Sequence, residues 1–220
     1  MRKRFSITLL ASVGMLFLLL PAARAGVQMY FTGGNSGSCG SVECGPYQLT
    51  TSAVGHNPPS DGITSWFFCD DYVDEIGQGS YWNAAVISGA TGDLATTMMS
   101  ERNGWTQAQA NTAYDGKAWL EINMTNANRV QYNYAIWEIF NSSLIGTLPD
   151  ESALIATAEA SGAGDHVYVT VYSPTSLILG GPDQGGIPQE FDIVPDGGMT
   201  LMLLGGTLVG VATLRRKFRV

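Results

Sequence analysis

Positive charge is scarce where a working domain would sit. The chain has 220 residues; of its 11 Lys and Arg, four fall in the first 24 positions and four in the last six. Only Arg102, Lys117 and Arg129 lie between, against 18 of the 19 Asp and Glu, so Gly26 to Pro195 carries a formal charge of −15. A phosphate backbone finds almost no cationic partner there, which excludes nucleic-acid binding. Histidine and cysteine are also sparse: two His and three Cys argue against a four-ligand Cys/His zinc site. Neither His56 nor His166 belongs to a hydrolase motif, and there is no Gly-x-Ser-x-Gly elbow. Long hydrophobic runs are confined to the two ends, and no internal repeat is visible.

The ends read as addresses. Arg2, Lys3 and Arg4 precede an uncharged apolar run from Phe5 to Leu20, then Pro21 and the small-x-small triplet Ala23-Arg24-Ala25. That is the layout of a secretory signal over residues 1–25, with the mature chain beginning at Gly26. The other end is apolar from Met199 to Leu214 and closes on the basic residues Arg215, Arg216, Lys217 and Arg219. As a helix that run spans about 24 Å, short of a hydrocarbon core of about 30 Å, a gap that snorkelling cations or bilayer thinning covers. Basic residues after the run predict a cytoplasmic tail over 215–220 and an extracytoplasmic body over 26–193.

Within the body, Tyr47 to Val54, Ile63 to Asp70 and Tyr81 to Ser88 read as strands separated by Pro- and Gly-rich turns. The run Ile63 to Cys69 is apolar on both faces, as a central strand would be. The period then changes. Thr106 to Ala113 and Tyr114 to Met124 read as two helices, the second weakened by Gly116; Asn128 to Phe140 is a stronger one. A further helix opens at Asp150-Glu151-Ser152, runs to Glu159 and stops at Gly162. His166 to Tyr172 alternates as a strand, Leu177 to Leu179 is a short one, and Glu190 to Val194 is a candidate last strand. The expected fold is α+β, a β-sheet or sandwich with a helical insertion.

Val194-Pro195-Asp196-Gly197-Gly198, the apolar helix and the basic tail together resemble the PEP-CTERM sorting signal of bacterial exported proteins, closest to its VPDSG variety. The resemblance assigns 194–220 to sorting and implies an exosortase as partner. It also implies a membrane-anchored precursor at the inner membrane, then release or attachment at the envelope, the surface or the extracellular matrix. Five strings of the body also resemble a group of PEP-CTERM proteins without an assigned activity. They are Phe68-Cys69-Asp70-Asp71, the Tyr114–Leu120 segment, Tyr134-Ala135-Ile136-Trp137-Glu138-Ile139-Phe140, Val169-Thr170-Val171-Tyr172-Ser173-Pro174 and Pro188-Gln189-Glu190-Phe191.

Cys39 and Cys44 stand in a Gly-rich exported stretch, and Gly40 and Gly45 leave the chain free to close a small disulfide loop between them. Cys69 is then the odd cysteine. One account is packing on a central strand. The other comes from resemblance to the thioester domains of Gram-positive surface adhesins, whose strand cysteine bonds to a helix glutamine; here Phe68-Cys69-Asp70 and Gln131 with Ala135-Ile136-Trp137 are similar in order. Aligned on Ala135-Ile136-Trp137, Asn133 occupies the usual glutamine position. Asp70, Asp71, Asp74 and Glu75 form an acidic cluster that offers oxygen ligands to Ca²⁺, without EF-hand alternation; the commoner account is a solvated loop face. No other cofactor is implied.

The expected function is therefore that of a non-enzymatic structural or adhesive protein held at the surface or in extracellular polysaccharide. A covalent adhesin using Cys69 and Gln131 is the alternative. A carbohydrate-active enzyme is the third reading, with its acid pair and any sugar-stacking tryptophan unassigned.

Overall fold

The computed structural model describes residues 26–34, 38–39, 42–56, 62–72, 76–141 and 151–194. The expected signal segment, the apolar run 199–214 and the basic tail lie outside these residues, as does the expected sorting motif beyond Val194. Among the described residues no helix is long and apolar enough to cross a membrane.

Eight strands form in chain order: β1 (Gly26–Gly34), β2 (Ser38–Cys39), β3 (Val42–Glu43), β4 (Tyr47–Ala53), β5 (Ile63–Cys69), β6 (Tyr81–Ser88), β7 (Thr170–Pro174) and β8 (Phe191–Ile193). Six of them close into an antiparallel barrel in the order β1-β4-β5-β8-β7-β6, and β2 and β3 form a separate two-stranded ribbon. The expected sheet or sandwich is thus a closed barrel. Closure rests on β8, which pairs with both β5 and β7 through only a few residues. It leaves no unpaired edge.

Period-two alternation fills the barrel. Met29 and Phe31 of β1, Tyr47 and Leu49 of β4, Phe67 and Cys69 of β5, Trp82 and Ala84 of β6, and Phe191 of β8 form one buried cluster. The first half of β5 does not match the central strand read from the sequence: Ile63 is 73% exposed and Trp66 43%, and only the end from Phe67 is buried. A strand at β1 was not foreseen, because its alternating residues directly follow the expected cleavage site.

Among the described residues all the helices lie between β6 and β7, as the expected insertion. They are α1 (Met98–Asn103), α2 (Gln107–Ile122), α3 (Arg129–Phe140) and α4 (Ser152–Ser161), with 3₁₀ turns at Leu94–Thr96 and Asp165–Tyr168. Helix α2 is continuous where two helices were expected. Thr106 and Gln109 cap it in a reciprocal box. Gly116 sits inside it because α4 packs there: a Cβ would come within 2.9 Å of Glu159 Cγ. The strand expected over His166 to Tyr172 begins only at Thr170, as β7; its opening is a turn instead, tied down by Asp115 Oδ1, which accepts from His166 N at 2.8 Å and Gly164 N at 3.0 Å. Leu177 to Leu179 forms no strand; the only pairing nearby is an isolated bridge between Tyr81 and Gly180. The helices share a second core that reaches the outer barrel wall through Ala85, Ile87, Val169 and Val171.

The junction between β6 and the returning chain tests this packing. Gly89 N donates to Val169 O at 2.8 Å, and a Cβ on Gly89 would lie 1.8 Å from the His166 carbonyl oxygen. Backbone must move to accept it, so Gly89→Ala is expected to cost about 1–3 kcal/mol in denaturant unfolding. A variant as stable as the parent would show that the insertion does not close against β6 in this way.

Candidate functional site: a sealed charge cluster between barrel and helices

The alternation that packs the barrel also aims polar groups at the helices. Cys69 and Phe191 are paired across β5 and β8 and face the barrel interior. Their neighbours Asp70 and Asp192 therefore turn outward, toward α2. On that helix Tyr114, Lys117 and Glu121 share one face through three- and four-residue spacing, and all are buried.

Lys117 is the centre. Its Nζ contacts Oδ1 of both Asp70 and Asp192, and Glu121 Oε1 lies 3.3 Å away. The side chains of Lys117, Asp70 and Asp192 are 0% exposed. Beside them Glu190 accepts from Tyr114 Oη at 2.7 Å and from the backbone N–H of Met98 at 2.7 Å, which holds the start of α1 against β8. Arg102 Nη1 donates to Asp71 Oδ2 at 2.7 Å. One ammonium thus faces several buried carboxyl groups.

Electrostatics follows from that imbalance. Burial pushes the Lys117 ammonium down, yet Asp192 and Glu121 more than offset it and hold it above its ordinary value. Burial, and then the charge of Asp192, raise the Glu121 carboxyl well above the usual carboxylate range, against the opposing pull of Lys117. Burial also raises Asp192 and Glu190, with Lys117 opposing it at Asp192 and hydrogen bonds from Ser173 and Tyr114 opposing it at Glu190. Oδ2 of Asp70 and Oδ2 of Asp192 have no hydrogen-bond partner among the described residues.

Cys69 is 3% exposed, and its Sγ donates to the Asp71 carbonyl at 3.0 Å. Burial, with the Asp71 carboxylate next, pushes its thiol pKa well up, which disfavours the nucleophilic thiolate. Gln131 is exposed on α3, where its Nε2 donates to Glu151 Oε2 at 2.7 Å. Cys69 and Gln131 are therefore engaged separately. Asn133, at the position where the adhesin pattern has glutamine, is buried; its Oδ1 accepts from Gly45 N at 2.9 Å and its Nδ2 donates to Arg129 O at 2.9 Å. Asp70 and Asp71 of the calcium candidate turn inward to Lys117 and Arg102; Asp74 and Glu75 lie outside the described residues. Among the described residues no group of three or more acids, His or Cys is arranged to hold a metal ion.

A disulfide joins Cys39 to Cys44, with Cα atoms 5.5 Å apart, across the β2–β3 ribbon. It was legible in the sequence. The ribbon borders a groove of about 240 Å³ lined in part by Glu43, Tyr47, Tyr72, Trp137 and Gln189. Of the five tryptophans, Trp66 alone is exposed, on the outer barrel wall; Trp82 and Trp137 are buried and Trp105 and Trp119 half-buried. Val194, first residue of the expected sorting motif, packs against the helical core.

Sequence reasoning did not nominate Tyr114, Lys117, Glu121, Glu190 or Asp192. The signal available was Lys117 itself, the single lysine between Gly26 and Pro195, on an Ala-rich helix. Three of the strings singled out for their resemblance converge here: Phe68–Asp71, Tyr114–Leu120 and Pro188–Phe191. Compared with known proteins, the chain matches no family model, no curated protein and no solved structure.

Proposed function

We propose that this is an exported bacterial protein, sorted through its C-terminal signal by an exosortase and retained at the envelope or in extracellular polysaccharide as a structural or adhesive component. The observation that carries the reading is the order of parts in the sequence: signal segment, acidic body, Val194-Pro195-Asp196-Gly197-Gly198, apolar run, basic tail. The Cys39–Cys44 disulfide supports an oxidising destination. The charge cluster is sealed from solvent, so it offers no entry to an outside substrate, in keeping with a non-enzymatic role. Exposed Trp66 and the aromatic groove beside the disulfide supply surfaces on which a sugar ring can stack.

The test is terminal-peptide mapping of the protein recovered from producing cells, with and without methylamine. Peptides beginning at Gly26 and ending near Pro195, in a surface or matrix fraction, are the expected result. A chain still carrying Met199 to Leu214 as its stable form in the membrane would overturn sorting. Methylamine incorporated at Gln131 would make the protein a covalent adhesin instead.

A further inference from the structure

The Lys117 cluster has a composition that a structural ion pair does not need. Its lysine is wholly buried, two aspartates from different elements contact the same Nζ, and an additional carboxyl group stands beside them. We infer that Lys117 and Asp70 become joined by an intramolecular isopeptide bond, formed by the protein itself without cofactor or partner.

Geometry selects the reacting pair. Nζ contacts Oδ1 of both Asp70 and Asp192, so either carboxyl carbon is an adjacent electrophile, and the choice falls to how each aspartate is held. The other Asp70 oxygen, Oδ2, has no hydrogen-bond partner among the described residues to restrain it as a leaving group. Asp70 follows the end of β5, outside the strand ladder, with its N–H donating to Glu190 O at 3.2 Å and its carbonyl accepting from Asn141 Nδ2 at 3.2 Å. Asp192 sits in mid-strand, paired on one side with Phe68 and on the other with Val171, and is fixed as a proton acceptor. The Phe140 ring lies 5.7 Å from Nζ and helps exclude water. Holding amine and carboxyl in contact replaces an encounter with a unimolecular step.

The step balances within the cluster. An ammonium proton passes through Asp192 to the Asp70 carboxylate, leaving a neutral amine beside a neutral acid, an exchange that burial favours because it removes two charges. The Nζ lone pair forms the bond to the Asp70 carboxyl carbon. A second amine proton, relayed by Glu121 or Asp192, goes to the departing Asp70 hydroxyl; the C–O bond breaks and one water leaves. Nothing is oxidised or reduced. The product is an amide in place of an ammonium and a carboxylate, and it ties the end of β5 covalently to α2. Barrel and helical layer are then one covalent unit, independent of where the chain is sent.

The sequence makes the test simple. Between Gly26 and Pro195 a lysine-specific protease has one target, the bond after Lys117. The mature protein, denatured and reduced, is expected to resist that cut and to weigh one water less than its sequence. Trypsin, which still cuts after Arg102 and Arg129, is expected to yield peptide 103–129 branched to the peptide that ends at Arg102. The deficit should vanish, and the lysine cut return, in Asp70→Ala, read on denatured chain so that its folding is immaterial. Full cleavage after Lys117 with an unmodified mass overturns the inference. A branch to the peptide beginning at Val130, which carries Asp192, overturns the choice of Asp70. Loss of ammonia instead of water, reversed by methylamine, points to Cys69 and also overturns it.

Discussion

Measured against parent chain in which Lys117 is still a free ammonium, not yet bonded to Asp70, Lys117→Met is expected to lower stability by about 3–5 kcal/mol, because it removes the one cation that buried Asp70, Asp192 and Glu121 share. For a body of this size that is a fall in melting temperature of roughly 10 °C or more. Met fills much of the lysine volume, so the loss reports charge rather than a cavity. The deficit should also depend on pH with a definite sign. Glu121 and Asp192 have folded-state pKa values raised above the ordinary range by burial. The folded chain thus holds protons that the unfolded chain releases. The stability this contributes is present below the ordinary carboxylate range and is lost as pH rises through the folded values. Lys117 pulls both values down, so removing it raises them further and makes the loss at neutral pH larger. Denaturant unfolding at about pH 5 and about pH 8 is the check, with the gap between variant and parent narrowing at the acid end. Equal stability of the two proteins at both pH values would mean that the carboxyl groups are not held dry by the fold.

The second large effect belongs to the barrel. Phe191 is 0% exposed and lies 5.9 Å from the Tyr47 ring centre and 6.0 Å from that of Trp82. Its strand β8 has three residues and makes few pairings, so side-chain packing rather than backbone hydrogen bonding keeps the barrel shut. Phe191→Ala is expected to cost about 3–5 kcal/mol in equilibrium unfolding. Local opening should accompany it, because β5 and β7 each lose one of their two neighbours once β8 lifts away, leaving them paired only with β4 and β6. Hydrogen exchange at the amides shared by β5, β7 and β8 should accelerate far more than exchange in α2. Uniform acceleration across both layers would show that barrel and helices open as one unit.

Several features were legible because they are local. The strand Tyr81–Ser88 and the helix ending at Phe140 follow from hydrophobic period, and Gly162 marks the end of α4 as its residue type predicts. The disulfide could be read because Cys39 and Cys44 are close in the chain. The turn at Asp165–Tyr168 could not, since His166 to Tyr172 alternates like a strand while Asp115, distant in sequence, folds its start into a 3₁₀ turn. Gly116 likewise looked like a break, and contact with α4 made it a packing position.

Composition and order determined, without any structure, the segregation of charge, the apolar ends and the acidic body, because each is a property of the linear chain. They also determined that the helices would interrupt the strands. Closure of the barrel was decided only in three dimensions, for it depends on three residues of β8 meeting a strand more than a hundred positions earlier. The Lys117 cluster has the same origin. Asp70, Lys117 and Asp192 are unremarkable singly, and the sequence reading placed the first in a solvated loop. Strand alternation turns both aspartates away from the barrel interior, and α2 lays its only lysine across them. Burial then converts ordinary side chains into a concentrated set of charges, a physical state that no pattern in the chain encodes until the two layers pack.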